Sequence, residues 1–112
     1  MDDPYRIERL GNECAVVHFA PGELTAIRSQ AHLDELLGLV DSHGRIAIDF
    51  TRTTLVPSDW LRAIERMRVR AGAAGKHLAI AGKTAAILKT ADALKLRESL
   101  RWCDTIEEAL RP

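Results

Sequence analysis

The chain has 112 residues, 46% hydrophobic and 29% charged, a composition that excludes a disordered polypeptide and allows one hydrophobic core. Lys and Arg total 16, as do Asp and Glu, so the formal net charge is zero and generic binding to nucleic acid or to an anionic membrane is not expected. The opening MDDPYRIERLG never becomes a continuous apolar stretch, so neither a secretory signal nor a membrane span is expected, and the protein is placed in the cytoplasm.

Tyr5–Leu10 and Cys14–Ala20 read as two strands joined at Gly11-Asn12, a turn pair suited to a hairpin. In CAVVHFA both alternating sets are largely apolar, as in a strand covered on both faces. Leu33, Leu36, Leu37 and Val40 then fall at helical spacing, with Asp34, Glu35 and Asp41 off that stripe and Gly44 as the expected terminator. RIAIDFT follows as a strand with Ile46, Ile48 and Phe50 on one side. A helix over 57–73 closes in AGAAG, KHLAIAG is a strand, and Lys83–Lys95 is a helix carrying Ile87, Leu88, Ala91 and Leu94. SLRWCD is a short strand, and TIEEAL opens with a capping box, Thr105 as cap and Glu108 three residues on. The order ββαβαβαβα predicts an α/β fold, one domain over 1–112, with right-handed crossovers and a mainly parallel sheet.

Several catalytic and cofactor signals fail on inspection. HLAIAGKT ends like a phosphate-binding loop, but the required first glycine is replaced by His77, which argues against nucleotide hydrolysis. His18, His32, His43 and His77 have no metal-ligand spacing, and Cys14 and Cys103 form no CxxC, so structural histidines, two reduced thiols and no cofactor are expected. No Gly-x-Ser-x-Gly elbow surrounds Ser58, and the chain is read as a non-enzyme.

The stretch TTLVPSDWLRAIERM concentrates the remaining signals. Ser58 is expected to be the N-cap of the 57–73 helix. Arg62, Arg66 and Arg70 recur every four residues and form one stripe, with Arg68 to the side. That stripe is either a solvated face with Glu65 as a partner, or a basic ridge for an acidic protein surface. Trp60 shares helical spacing with Ile64 and Met67 as a core residue would. It is also placed where an interface anchor would stand, and partial exposure is expected because Leu61 must seat on the sheet. Trp102 is assigned to the core.

From Gly22 onward the sequence resembles the STAS domain, the fold of the anti-sigma-factor antagonists. The stretches that carry the resemblance are GELT, HLDELLGLVDSHG, IAIDFTRTTLVPSDWL, RMRVRAGAAGKHLAIAG and ILKTADALKLRESLRWCDTIEEAL, in that order. The resemblance implies a mixed four- or five-stranded sheet with helices mainly on one face, and a non-enzymatic adaptor that binds a partner protein. It also implies that a kinase of the anti-sigma type, or another regulatory protein, is that partner, and that Ser58 is the phosphoacceptor. Relatives typically read Asp-Ser-Ser-Gly-Leu there; this chain has Pro57, Ser58, Asp59, Trp60 and Leu61. The serine and leucine are kept and the other three positions are not. The expected partner face is Asp59, Trp60, Arg62, Arg66 and Arg70. Two alternatives remain open. One is a STAS subunit docked constitutively in a signalling or lipid-transport assembly, without phosphorylation. The other is a module that binds a small ligand.

Overall fold

The computed structural model describes residues 3–111. In chain order the elements are β1 (Tyr5–Leu10), β2 (Cys14–Phe19), β3 (Gly22–Glu23), α1 (Gln30–Ser42), β4 (Arg45–Asp49), β5 (Thr53–Leu55), α2 (Ser58–Ala73), β6 (His77–Ala81), α3 (Ala85–Ala93), β7 (Trp102–Cys103) and α4 (Ile106–Ala109). Five strands form one sheet in the order β1-β2-β4-β6-β7. The β1–β2 hairpin is antiparallel, with Tyr5 opposite Phe19, and β2–β4, β4–β6 and β6–β7 are parallel. The expected α/β class, mixed sheet and helix placement are therefore observed.

Alternation divides the sheet into two unequal coats. Ala15, Val17 and Phe19, with Ile46, Ile48, Phe50, Leu78 and Ile80, face the main core beneath the first three helices. Leu36, Leu39 and Val40 come down from α1, and Trp60, Leu61, Ile64, Met67 and Ala71 from α2. The opposite face presents Val16, Ala47, Ala79, Ala81 and Cys103, mostly small side chains, and α4 lies over them through Ala109, Ile106 and Leu110. Methyl-sized residues let this one-turn helix sit close to the sheet.

Two features differ from expectation. A second, two-stranded parallel sheet, β3 with β5, joins the segments flanking α1 and α2. Strands this short carry no readable period. Secondly, α1 ends at His43 with an extended cap rather than on a left-handed Gly44, and the Gly44 N–H instead donates to the Glu13 carbonyl at 2.9 Å.

The glycine of the false phosphate loop has a structural reason. Gly82 has φ +97°, and a Cβ there would stand 2.6 Å from the Phe50 carbonyl carbon. The turn after β6 crosses the end of β4 so closely that only hydrogen fits. Thr84 caps α3, accepting from the Ile87 N–H at 3.3 Å, and Thr105 caps α4, accepting from the Glu108 N–H at 3.2 Å.

Candidate functional site

The start of α2 is built by three residues with distinct tasks. Pro57 occupies the N-cap with φ −61° and ψ 153°, a conformation its ring already favours, and offers no side-chain cap. Ser58 is thereby moved to the first helical position, where it is exposed, and among the described residues its hydroxyl makes no hydrogen bond. The expected capping role of Ser58 is thus corrected. It passes one position on, where one oxygen of Asp59 accepts from the Trp60 N–H at 2.9 Å. The other oxygen accepts from the Ile27 N–H at 2.8 Å, tying the helix to the segment before α1. A carboxylate in the first turn also favours the positive end of the helix dipole.

The expected exposure of Trp60 is also corrected, since it is 1% exposed and its neighbour Leu61 0%. Both belong to the one main core beneath the helices, which also holds Phe19 and Tyr5. The Trp60 ring meets Phe19 edge-on at 5.1 Å and Tyr5 at 6.1 Å between centroids. Its Nε1–H donates to the Thr25 carbonyl at 2.8 Å, so the segment after β3 supplies the polar partner. Trp102, expected in the core, is only half-buried, and its indole N–H donates to the Arg97 carbonyl.

The arginine stripe divides into parts. Arg70 donates twice to Asp41 of α1, at 2.9 and 2.7 Å, in an exposed pair that contributes little stability. Glu65 is paired with Arg68, not with the stripe, at 3.1 and 2.8 Å. Arg62 and Arg66 are exposed, with no side-chain hydrogen bond or ion pair among the described residues. Arg66 lines a small crevice between α1 and α2 with Leu33, Leu36, Leu37, Ala63 and Met67. Ser58, Arg62 and Arg66 follow one another at i, i+4 and i+8, so the hydroxyl heads a line with two open guanidinium groups. Leu55, 42% exposed, adds an apolar contact just before the helix. The sequence held this Ser58-to-Arg62 spacing in plain view, because a four-residue step on a helix means adjacency.

Among the described residues no histidine hydrogen-bonds Ser58. Both ring nitrogens of His18 face carboxylates, Asp49 at 2.6 Å and Glu8 at 2.7 Å. The other oxygen of Asp49 accepts from the Thr51 N–H and hydroxyl at 2.8 and 2.6 Å. Burial alone acts to raise the Asp49 pKa, but these hydrogen bonds and the charge of His18 together hold it below the usual carboxylate value. Among the described residues no group of three His, Cys, Asp or Glu is placed to hold a metal ion, and no helix is long and apolar enough to cross a membrane.

No family model matches the sequence, and no curated protein matches it. Solved structures do match in fold. An anti-sigma factor antagonist from Mycobacterium paratuberculosis superimposes with a TM-score of 0.74 at 16% identity, over 95% of this chain and 89% of that one. A serine-to-glutamate variant of RsbS from Moorella thermoacetica gives 0.73 at 16% identity, over 96% and 92%. The anti-sigma factor antagonist SpoIIAA in its unphosphorylated form gives 0.65 at 14% identity, over 93% and 91%. The sheet order, the helix placement and these superpositions agree: the chain has the STAS fold of the anti-sigma factor antagonists.

Proposed function

We propose that this chain is a non-enzymatic, cytoplasmic adaptor of the partner-switching type, which binds a regulatory protein through the start of α2 and is controlled by phosphorylation of Ser58. One observation carries the reading: Ser58 is exposed at the first position of α2 with its hydroxyl unengaged, at the head of the line Arg62–Arg66. A kinase meets no competing hydrogen bond there. A phosphate adds nearly two negative charges beside the helix N-terminus, one turn from the Arg62 guanidinium. The surface that a partner meets thereby changes from basic to acidic at one end. SpoIIAA, described in an unphosphorylated form, and RsbS, studied with a glutamate in place of a serine, support the same logic by likeness of fold. The partner face is then Leu55, Ser58, Arg62 and Arg66, with Asp59 at its rim. Trp60 supports this face from beneath, and Arg70 is held at its far end.

The constitutive alternative has its own observation. Asp59 already places a carboxylate at the helix N-terminus, where it accepts from Trp60, and so supplies part of the charge without a kinase. Intact mass and peptide mapping of the protein from its native cells, in growth and under stress, separate the two. One phosphate at Ser58 that changes with condition supports the switch, and Ser58→Glu should then release a partner that Ser58→Ala retains. An unmodified chain in every condition, with the same partner held by both variants, rejects the switch in favour of constitutive docking.

A further inference from the structure

The outer edge of the sheet is built from a strand that is complementary to itself. The Ala20 N–H donates to the Pro4 carbonyl at 2.9 Å, which sets the phase of the hairpin ladder. Arg6, Glu8 and Leu10 therefore exchange hydrogen bonds with β2, and the backbone N–H and C=O groups of Tyr5, Ile7 and Arg9 point away from the sheet. Among the described residues strand β1 pairs with β2 alone and stands at the end of the sheet. Its six residues run in unbroken register, without proline or bulge, so the usual devices that blunt an edge are missing apart from charge.

The charge is arranged symmetrically about Ile7. We propose that β1 pairs antiparallel with β1 of a second copy of this chain, across a twofold axis at Ile7, giving one sheet continuous through both molecules. In that register Arg6 stands opposite Glu8 of the second copy, and Glu8 opposite its Arg6, on the α4 side of the sheet. Tyr5 stands opposite Arg9 on the helix side, and Ile7, half-buried against the core, meets itself. The outward backbone groups of residues 5, 7 and 9 find their partners in the same step.

Neighbouring registers are disfavoured by the same residues. A shift of the axis to residue 6 sets Arg6 against Arg6, and a shift to residue 8 sets Glu8 against Glu8. Like charges directly opposite destabilise a strand pair. Two further details favour the Ile7 axis. The carboxyl of Glu8 is 45% exposed and bonds His18 through one oxygen only, which leaves the other for a guanidinium. The Tyr5 hydroxyl donates to the exposed Glu35 at 2.5 Å, so Arg9 of the second copy arrives beside both an aromatic ring and a carboxylate. One six-residue strand per molecule makes a small interface, and the dimer is accordingly a concentration-dependent one.

Charge reversal tests this directly. Sedimentation velocity over a wide range of concentration should show a monomer–dimer equilibrium for the wild-type chain. Arg6→Glu and Glu8→Arg should each be monomeric, because each sets like charges opposite in both pairs. Mixed together, those two variants should form a heterodimer, and the doubly reversed chain (Arg6→Glu with Glu8→Arg) should dimerise again. Circular dichroism melts establish that each variant is folded, and Arg6→Glu, whose side chain makes no intramolecular hydrogen bond among the described residues, serves if Glu8→Arg disturbs His18. A wild-type chain that is monomeric throughout overturns the proposal. So does a dimer that ignores the reversals.

Discussion

Asp59 and Ile27, 32 residues apart, are joined by a carboxylate accepting the Ile27 backbone N–H at 2.8 Å, and this bond anchors the start of α2 to the segment that covers it. Removing the carboxylate leaves a partly buried N–H unpaired and frees the first turn of the helix. Asp59→Ala should destabilise the protein by about 1–3 kcal/mol in urea unfolding. Asp59→Asn, which keeps an accepting oxygen, should lose less. Equal losses for the two would mean that the charge matters and the hydrogen bond to Ile27 does not.

Ser58 and Thr84 offer a direct comparison between a hydroxyl at the first helical position and one at a true cap. Thr84→Ala removes an acceptor for the Ile87 N–H and should cost about 1 kcal/mol. Ser58→Ala removes no hydrogen bond and should stay within about 0.5 kcal/mol of the parent. A matched loss at both positions would return the capping role to Ser58.

Trp60 should behave as a buried indole. With Trp102→Phe as background, Trp60 is the single tryptophan left, and its emission should be blue-shifted and resistant to iodide. Trp60→Phe strands the Thr25 carbonyl without its donor and should cost about 1–3 kcal/mol. Trp60→Ala removes the ring from the Phe19–Tyr5 cluster and should cost about 3–5 kcal/mol.

Asp49 gives the fold an acid-side dependence of known sign. Its folded pKa lies below the ordinary value, with the Thr51 and His18 interactions outweighing the opposing effect of burial. The stabilisation is therefore present above the unfolded value of about 3.9 and disappears as pH falls through the folded one. Wild type should be more stable than Asp49→Asn at neutral pH. The difference between their urea midpoints should narrow below about pH 4. A difference that persists unchanged into acid would show that the ionised carboxylate is not its source.

The parts of this fold that were legible in the sequence are those with a period. Leu36 and Val40, Ile64 and Met67, and the alternation Ile46–Ile48–Phe50 each repeat often enough to name a face, and each faces the core. The pair β3 and β5 escaped because two or three residues hold no repeat, and their order comes from pairing Gly22 with Thr53 and Glu23 with Leu55, far apart in the chain. Trp60 was misplaced for a related reason. Its spacing with Ile64 and Met67 pointed to the core, but the polar partner that lets the indole be fully buried is the Thr25 carbonyl, which belongs to no regular element. At Ser58 a local rule was overridden by its neighbour, since Pro57 took the cap position and left the serine with a free hydroxyl.

The two coats of the sheet have a consequence for how the molecule breathes. Beneath α1, α2 and α3 lie large, interlocked side chains, and exposing them means losing most of the core at once. On the other face, Ile106, Ala109 and Leu110 cover Val16, Cys103 and three alanines, a much smaller cluster than the main core. Partial opening is therefore expected first at the C-terminal end, with α4 lifting while the five strands stay paired. In amide exchange, residues 106–110 should trade their protons long before β4 or β6 does, so that the molecule keeps one face permanently closed and carries on the other a cover it can shed.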